Sequence, residues 1–234
     1  MAFAKGAGFS ARFGKTFGFT LSPGRAESVK PLVYLPGRSF EMDAFLISTV
    51  TVAIAEIGDK TQLLALILAL RFRQPWPVVW GILAATLANH ALAAWAGVEL
   101  AGFMDRELMT RLVGVSFILM GFWALIPDKA PEDDATELER TKRFGPFLAT
   151  VIAFFLVEIG DKTQIATAAL AVRFDSVLHV AAGTTLGMMF ANVPVVFFGE
   201  KVARFVPLGW VRATAAFIFI ALGAVTLLSA FGYL

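Results

Sequence analysis

Seven residues, Glu56-Ile57-Gly58-Asp59-Lys60-Thr61-Gln62, return unchanged as Glu158-Ile159-Gly160-Asp161-Lys162-Thr163-Gln164, each time inside an apolar run long enough to cross a bilayer. Each copy puts two carboxylates and a lysine into that run. An unpaired ionisable group at the centre of a membrane helix costs roughly 2.5–3.5 kcal/mol, so six would cost roughly 15–20 kcal/mol. Such groups must face the interior of a helix bundle, find partners there, and serve a purpose.

The rest of the chain fits that setting. Of its 234 residues 58% are hydrophobic, which places it among membrane proteins, and its formal charge of +2 gives no reason to expect nucleic acid as a partner. Cysteine is absent, which excludes a disulfide framework, a thiolate metal site and a cysteine nucleophile.

Six apolar segments follow Met42, at about 44–70, 76–98, 109–127, 146–172, 177–199 and 210–233. Each has roughly the 20 residues needed to span about 30 Å of hydrocarbon. The first and fourth are longer, so they should tilt or be interrupted near the repeated stretch. Trp76, Trp80, Trp95, Trp123 and Trp210 lie near segment ends, as an interfacial aromatic belt would place them.

A constant offset of 102 superposes the second half on the first without a gap. It aligns Arg71-Phe72 with Arg173-Phe174, Gly81 with Gly183, Gly97 with Gly199, and Gly121 with Gly223. The expected fold is therefore an all-α integral membrane protein with six transmembrane helices, arranged as two three-helix repeats. Because three is odd, the second repeat enters from the opposite side, which gives inverted topology with a site near the midplane between the repeats.

The expected organisation is a leader over 1–41, a first repeat over 42–127, an acidic linker over 128–145, and a second repeat over 146–234. The leader is basic and has no apolar run, so it is not a secretory signal. It is expected to be disordered or absent from the mature protein, an organelle transit peptide being the alternative. Nine Lys and Arg lie in the 1–2, 3–4 and 5–6 connections; the other side has Arg106, Arg111 and Arg173. Positive-inside counting then puts the linker in the cytoplasm and both ends of the six-helix core outside. With Glu132, Asp133, Asp134, Glu137 and Glu139, that linker reads as a solvated connection, the alternative being a cation-sensing loop.

On a continuous helix Glu56 and Asp59 would share one face, with Lys60 four residues after Glu56 in the favourable acid-first order; Glu158, Asp161 and Lys162 repeat the pattern. If the repeats bring these faces together, four carboxylates and two ammonium groups leave an excess of two negative charges. One divalent cation or two protons neutralise it, which couples metal moving one way to protons moving the other. Glu56, Asp59, Glu158 and Asp161, with Thr61, Thr163, Gln62 and Gln164 in support, make an all-oxygen set suited to Mn²⁺, Ca²⁺ or Mg²⁺. Lys60 and Lys162 can only be charge partners, since an ammonium has no lone pair to offer a cation. Gly58 and Gly160 either let helices approach closely, the favoured reading, or let the backbone open. A buried ion pair that merely fixes packing is the alternative to the whole scheme.

Among other polar residues, His90 aligns with Asn192, with Asn89 beside it. They form a hydrogen-bonded packing contact, the alternative being a proton relay or an outer-shell contact to the cation for His90. His179 should be interfacial, Gly183 and Gly187 should make a close helix contact within the protomer, and Pro194 should kink its helix.

The doubled Glu-x-Gly-Asp-Lys-Thr, one copy in the first helix of each half, resembles the cation exchangers of Golgi and thylakoid membranes and their bacterial manganese-exporting relatives. The resemblance covers residues 42–234. It implies an exchanger, not an enzyme, that moves Mn²⁺ or Ca²⁺ out of the cytosol against protons across a bacterial inner membrane. It implies Glu56, Asp59, Glu158 and Asp161 as cation ligands, with the metal as cargo and no permanently bound cofactor. The expected partners are divalent cations, protons and the lipid bilayer. Two other functions remain open at this level: a proton-coupled small-solute exporter of similar architecture, and a membrane assembly protein without transport activity.

Overall fold

The computed structural model describes residues 40–126, 144–199 and 208–233. Most of the expected leader and of the acidic linker, with its cation-sensing alternative, lies outside the described residues. So do the basic residues Lys129, Arg140, Lys142, Arg143, Lys201 and Arg204 used for orientation. Among the described residues there are eight helices and no strand: α1 Phe40–Glu56, α2 Lys60–Phe72, α3 Pro75–Ala101, α4 Arg106–Ala124, α5 Pro146–Glu158, α6 Lys162–Phe174, α7 Val177–Phe198 and α8 Leu208–Ala230. The chain is an all-α membrane protein. Four helices are each long and apolar enough to cross a bilayer: Pro75–Ala101, Arg106–Ala124, Val177–Phe198 and Gly209–Ala230.

The first and fourth apolar segments are each interrupted at the repeated stretch, as their length anticipates. The cause is local. Gly58 and Gly160 have φ of +81° and +76°, a left-handed conformation in which a side chain would be strained. One helix therefore ends at Glu56 or Glu158, and a second starts at Lys60 or Lys162 with Asp59 or Asp161 as its extended N-cap residue. The repeat extends to the far ends of these short helices. Arg73 and Asp175 are both left-handed C-cap residues, and their N–H groups donate to Ala69 O and Ala171 O.

Packing follows the same offset, but crosswise. A Cβ on Gly81 of α3 would fall 2.8 Å from Phe147 O and 2.6 Å from Thr150 Cβ on α5. On Gly183 of α7 it would fall 2.4 Å from Phe45 O and 3.1 Å from Ser48 Cβ on α1, the positions equivalent to Phe147 and Thr150. When residue i meets the counterpart of j and j meets the counterpart of i, the two halves are related as the protomers of a two-fold dimer are. Gly187 adds a second close approach, to Thr49 O, so the Gly183/Gly187 pair works as a helix contact within the protomer. Helix α7 runs on through Pro194 to Phe198.

The α4–α8 pair is also built on small residues, with Gly121 against Ala216 O and Ile220, Gly223 against Gly114 O, and Phe117 stacked on Phe219 at 6.4 Å. Two apolar cores result. One joins residues of α1, α4, α6 and α8 with the adjoining ends of α3 and α7; the other joins α2 and α5 with α3 and the far end of α7. All five tryptophans expected at the interface lie on outward surfaces.

One assignment changes. Arg173, counted above among the connecting residues, is buried in the last turn of α6, where Nη1 donates to Leu222 O at 2.9 Å and to the Thr226 hydroxyl on α8. Thr226 Oγ1 donates to the same Leu222 carbonyl at 2.7 Å, so the three groups form one polar patch. Arg71, at the equivalent place, stays exposed.

Candidate functional site

The two helix breaks set the geometry of the charged residues. The chain is not helical across Gly58–Asp59, yet Glu56 and Asp59 still bring carboxylate oxygens within 4.8 Å of each other. Lys60 pairs with the other copy: its Nζ lies 3.0 Å from Asp161 Oδ1, and Lys162 Nζ lies 2.9 Å from Asp59 Oδ1. These pairs are crossed and equivalent by the repeat, but they differ in burial. Lys162 and Asp59 are almost wholly enclosed, whereas a quarter of the Lys60 side chain is exposed.

Carboxylate oxygens of Glu56, Asp59 and Asp161 lie within 4.8 Å of one another, close enough to hold one divalent cation together. All three residues are buried. Glu56 Oε2 accepts a 2.7 Å hydrogen bond from Thr61 Oγ1, while Oε1 has no hydrogen-bond partner among the described residues. A buried carboxylate oxygen without a donor needs a cation or a proton to offset its lost hydration.

Glu158, expected as a fourth member, stands outside this group. Its Oε1 accepts from Thr86 Oγ1 of α3 at 3.2 Å, and the Asn89 side chain one turn along approaches it too; Oε2 has no partner among the described residues. Thr163, the counterpart of Thr61, turns to Asp161 Oδ2 at 3.3 Å rather than to Glu158. Thr86 escaped the sequence reading, although it lies one helical turn before His90 and could have been found by that spacing.

The glutamines and glycines have a different use from the one favoured above. Gln62 Oε1 accepts from Gly58 N at 2.8 Å, and Gln164 Oε1 accepts from Gly160 N at the same distance. Their amide oxygens thus hold the opened backbone; Gln62 Nε2 also ties α2 to Ala191 O of α7. For Gly160 close packing is excluded directly, because a Cβ there would find nothing within 4 Å. The backbone opening explains both glycines.

His90 is 1% exposed, and neither ring nitrogen has a hydrogen-bond partner among the described residues, so the hydrogen-bonded packing contact is not seen. Asn192 donates from Nδ2 to Met188 O and Sδ, each at 3.0 Å, and leaves Oδ1 unpartnered. His179 is partly exposed at the start of α7, with Nδ1 3.0 Å from Ser176 Oγ. A narrow cleft reaches Asp59 and Lys162 between α1, α4 and α8, with Ile57, Gly58, Arg212 and Phe219 among its walls. The charged cluster is therefore enclosed but not sealed.

A family model described as "Divalent cation/proton antiporter GDT1" matches residues 44–132 and 146–233, well over half the chain. A Vibrio cholerae protein named "Putative manganese exporter" is 50% identical over 186 residues, covering 79% of this chain and 90% of its own. A "GDT1-like protein" of Synechocystis is 27% identical over 179 residues, covering 69% and 85%, respectively. The Saccharomyces cerevisiae "Divalent cation/proton antiporter GDT1" is 21% identical over 234 aligned residues, covering 78% and 82%. No solved structure matches. Transport rather than catalysis is what this family does, and its two seven-residue copies, folded here into one crossed cluster of buried charge, lie within the two matched stretches: the chain belongs to the divalent cation/proton antiporter family GDT1.

Proposed function

We propose that the chain exports Mn²⁺ from the cytosol in exchange for protons, with Ca²⁺ as a possible second cargo of the same site. The supporting observation is the buried Glu56–Asp59–Asp161 cluster, built from both copies of the repeated stretch and carrying an unpartnered carboxylate oxygen. Those three carboxylates are the cation ligands of the state described here, and Glu158 joins them or replaces one as the halves rearrange. Counting all four acids against Lys60 and Lys162 leaves two negative charges, matched by one divalent ion or two protons. A site loaded either way is neutral, and a neutral site can change its exposure across an apolar barrier far more readily than a charged one.

The lysines hold the unloaded site together by their crossed pairing, and Thr61 orients Glu56. The architecture proposed around them is six spans in two inverted three-helix repeats, each interrupted helix counting as one span, with residues 128–145 as the linker and 1–41 outside the exchanger core. The proposed membrane is a bacterial inner membrane, with the linker cytoplasmic and both ends of the core outside. The high identity to a Vibrio protein named for manganese supports the choice of cargo and membrane. Reassigning Arg173 to the protein interior sharpens the charge asymmetry, since it leaves Arg106 and Arg111 alone on the outer side.

The test is reconstitution of the full chain in vesicles with a pH dye inside and ⁵⁴Mn outside. Mn²⁺ flux should drive opposite proton flux, and Glu56→Gln should stop both while leaving the protein inserted. Wild-type flux from Glu56→Gln vesicles would overturn the proposal.

A further inference from the structure

We propose that His90, with Glu158 and Asn89, forms a second cation station beside the three-carboxylate cluster, and that its imidazole nitrogen favours a transition divalent ion such as Mn²⁺ over Ca²⁺ or Mg²⁺. The inference deepens the exchange reading and rests on it. Thr86, Asn89 and His90 occupy positions i, i+3 and i+4 of α3, which puts them on one helix face. Thr86 donates to Glu158 Oε1 and Asn89 Nδ2 donates to Phe155 O, so that face meets the end of α5 where the second motif begins.

Further along α3, Gly97 packs on Ala168 of α6, beyond the break at Gly160. His90 lies between these contacts in sequence, one helical turn beyond Thr86 on α3. Four buried atoms of His90, Glu158 and Asn89 have no hydrogen-bond partner among the described residues: Glu158 Oε2, Asn89 Oδ1, and both ring nitrogens of His90. A packed interior rarely leaves a single such atom unsatisfied, because an unmade buried hydrogen bond is expensive. A neutral imidazole always keeps one lone pair, so a visiting cation can satisfy what the protein does not.

The first cluster is made wholly of oxygen, which Ca²⁺ and Mg²⁺ accept as readily as Mn²⁺ does. An added nitrogen ligand tips the preference toward first-row transition ions. His90 is not among the groups gathered with Glu56, Asp59 and Asp161, so the station is a neighbouring one, joined to the first through Glu158. The other half cannot duplicate it, because Asn192 stands at the position of His90, Ala191 at that of Asn89 and Met188 at that of Thr86.

Pulsed EPR of Mn²⁺ bound to the purified full chain provides the test. Wild-type protein should show electron-spin-echo modulation from a directly bonded ¹⁴N. In His90→Asn, which copies the equivalent residue, and in His90→Gln, bound Mn²⁺ should remain but the modulation should vanish. The ratio of Mn²⁺ to Ca²⁺ binding should then fall by about tenfold, the size of one modest ligand contact. Bound Mn²⁺ without ¹⁴N modulation in wild type, or an unchanged ratio in both variants, would overturn the second station alone. In that case the exchange reading stands as long as Glu56→Gln abolishes binding; failure of wild-type protein to bind either ion would overturn both.

Discussion

The two halves of the molecule share one seven-residue stretch letter for letter, yet its charged residues do not behave alike. Around the motifs the contacts are exchanged with near symmetry: Lys60 with Asp161 and Lys162 with Asp59, Gly81 with α5 and Gly183 with α1. Away from them symmetry fails. The α4–α8 pair packs against α1 and α6, and among the described residues it makes no comparable contact with their counterparts α5 and α2. The cleft that reaches Asp59 and Lys162 lies on that same side. Glu56 faces the ion cluster, while Glu158 turns to α3. Identical sequence thus sits in non-identical surroundings, and the two glutamates have different neighbours.

The sharpest way to break the comparison is to neutralise one acid in each half. Glu56→Gln and Glu158→Gln should both reduce Mn²⁺ flux by about a hundredfold or more, since each tenfold corresponds to only about 1.4 kcal/mol and a buried carboxylate contributes well beyond that. Equilibrium Mn²⁺ binding should separate them, being lost in Glu56→Gln and only weakened in Glu158→Gln. Equal binding loss in both would erase the distinction between the halves.

Stability comes next. Removing one partner of a buried pair costs about 3–5 kcal/mol because it strands the other charge, so Lys162→Met should lower the unfolding midpoint strongly. Lys60→Met should lower it less, because that side chain is a quarter exposed and water can serve Asp161. Thermal unfolding in detergent, read by tryptophan fluorescence, would compare the two directly.

Smaller effects should separate the arginines and then the glycines. Arg173→Leu loses hydrogen bonds from a charged donor, each contributing about 1.5–3 kcal/mol. Arg71→Leu should stay within about 0.5 kcal/mol, as exposed substitutions do. Gly183→Ala and Gly81→Ala should each destabilise by about 1–3 kcal/mol through overpacking, Gly183 the more because its Cβ would meet a carbonyl oxygen at the shorter distance. Unfolding midpoints that rank Gly81→Ala below Gly183→Ala would contradict that packing.

Much of this was legible in the chain. The spacing of Gly183 and Gly187 anticipated their close helix contact, and segment length anticipated the interruptions. What the letters did not reveal was pairing across the halves. The i, i+4 rule assumes an unbroken helix, and it assigned Lys60 to Glu56; a left-handed glycine removed that premise and released the lysine to the other copy. The glutamines were misread for the same reason, since an opened backbone creates N–H groups that a helix would have satisfied. Arg173 could not be told from Arg71 because both end the same motif, and only the position of α8 buries one of them.

Lys60 answers Asp161 and Lys162 answers Asp59, so each half supplies a counter-charge to a buried acid of the other. The molecule resembles a dimer written on one polypeptide, with its buried cluster of charge built from both parts. Either half made alone would lose both cross-half ion pairs. Two separately made halves should therefore seek each other, and the pairing that restores four mutually satisfied charges is the same one that assembles the site.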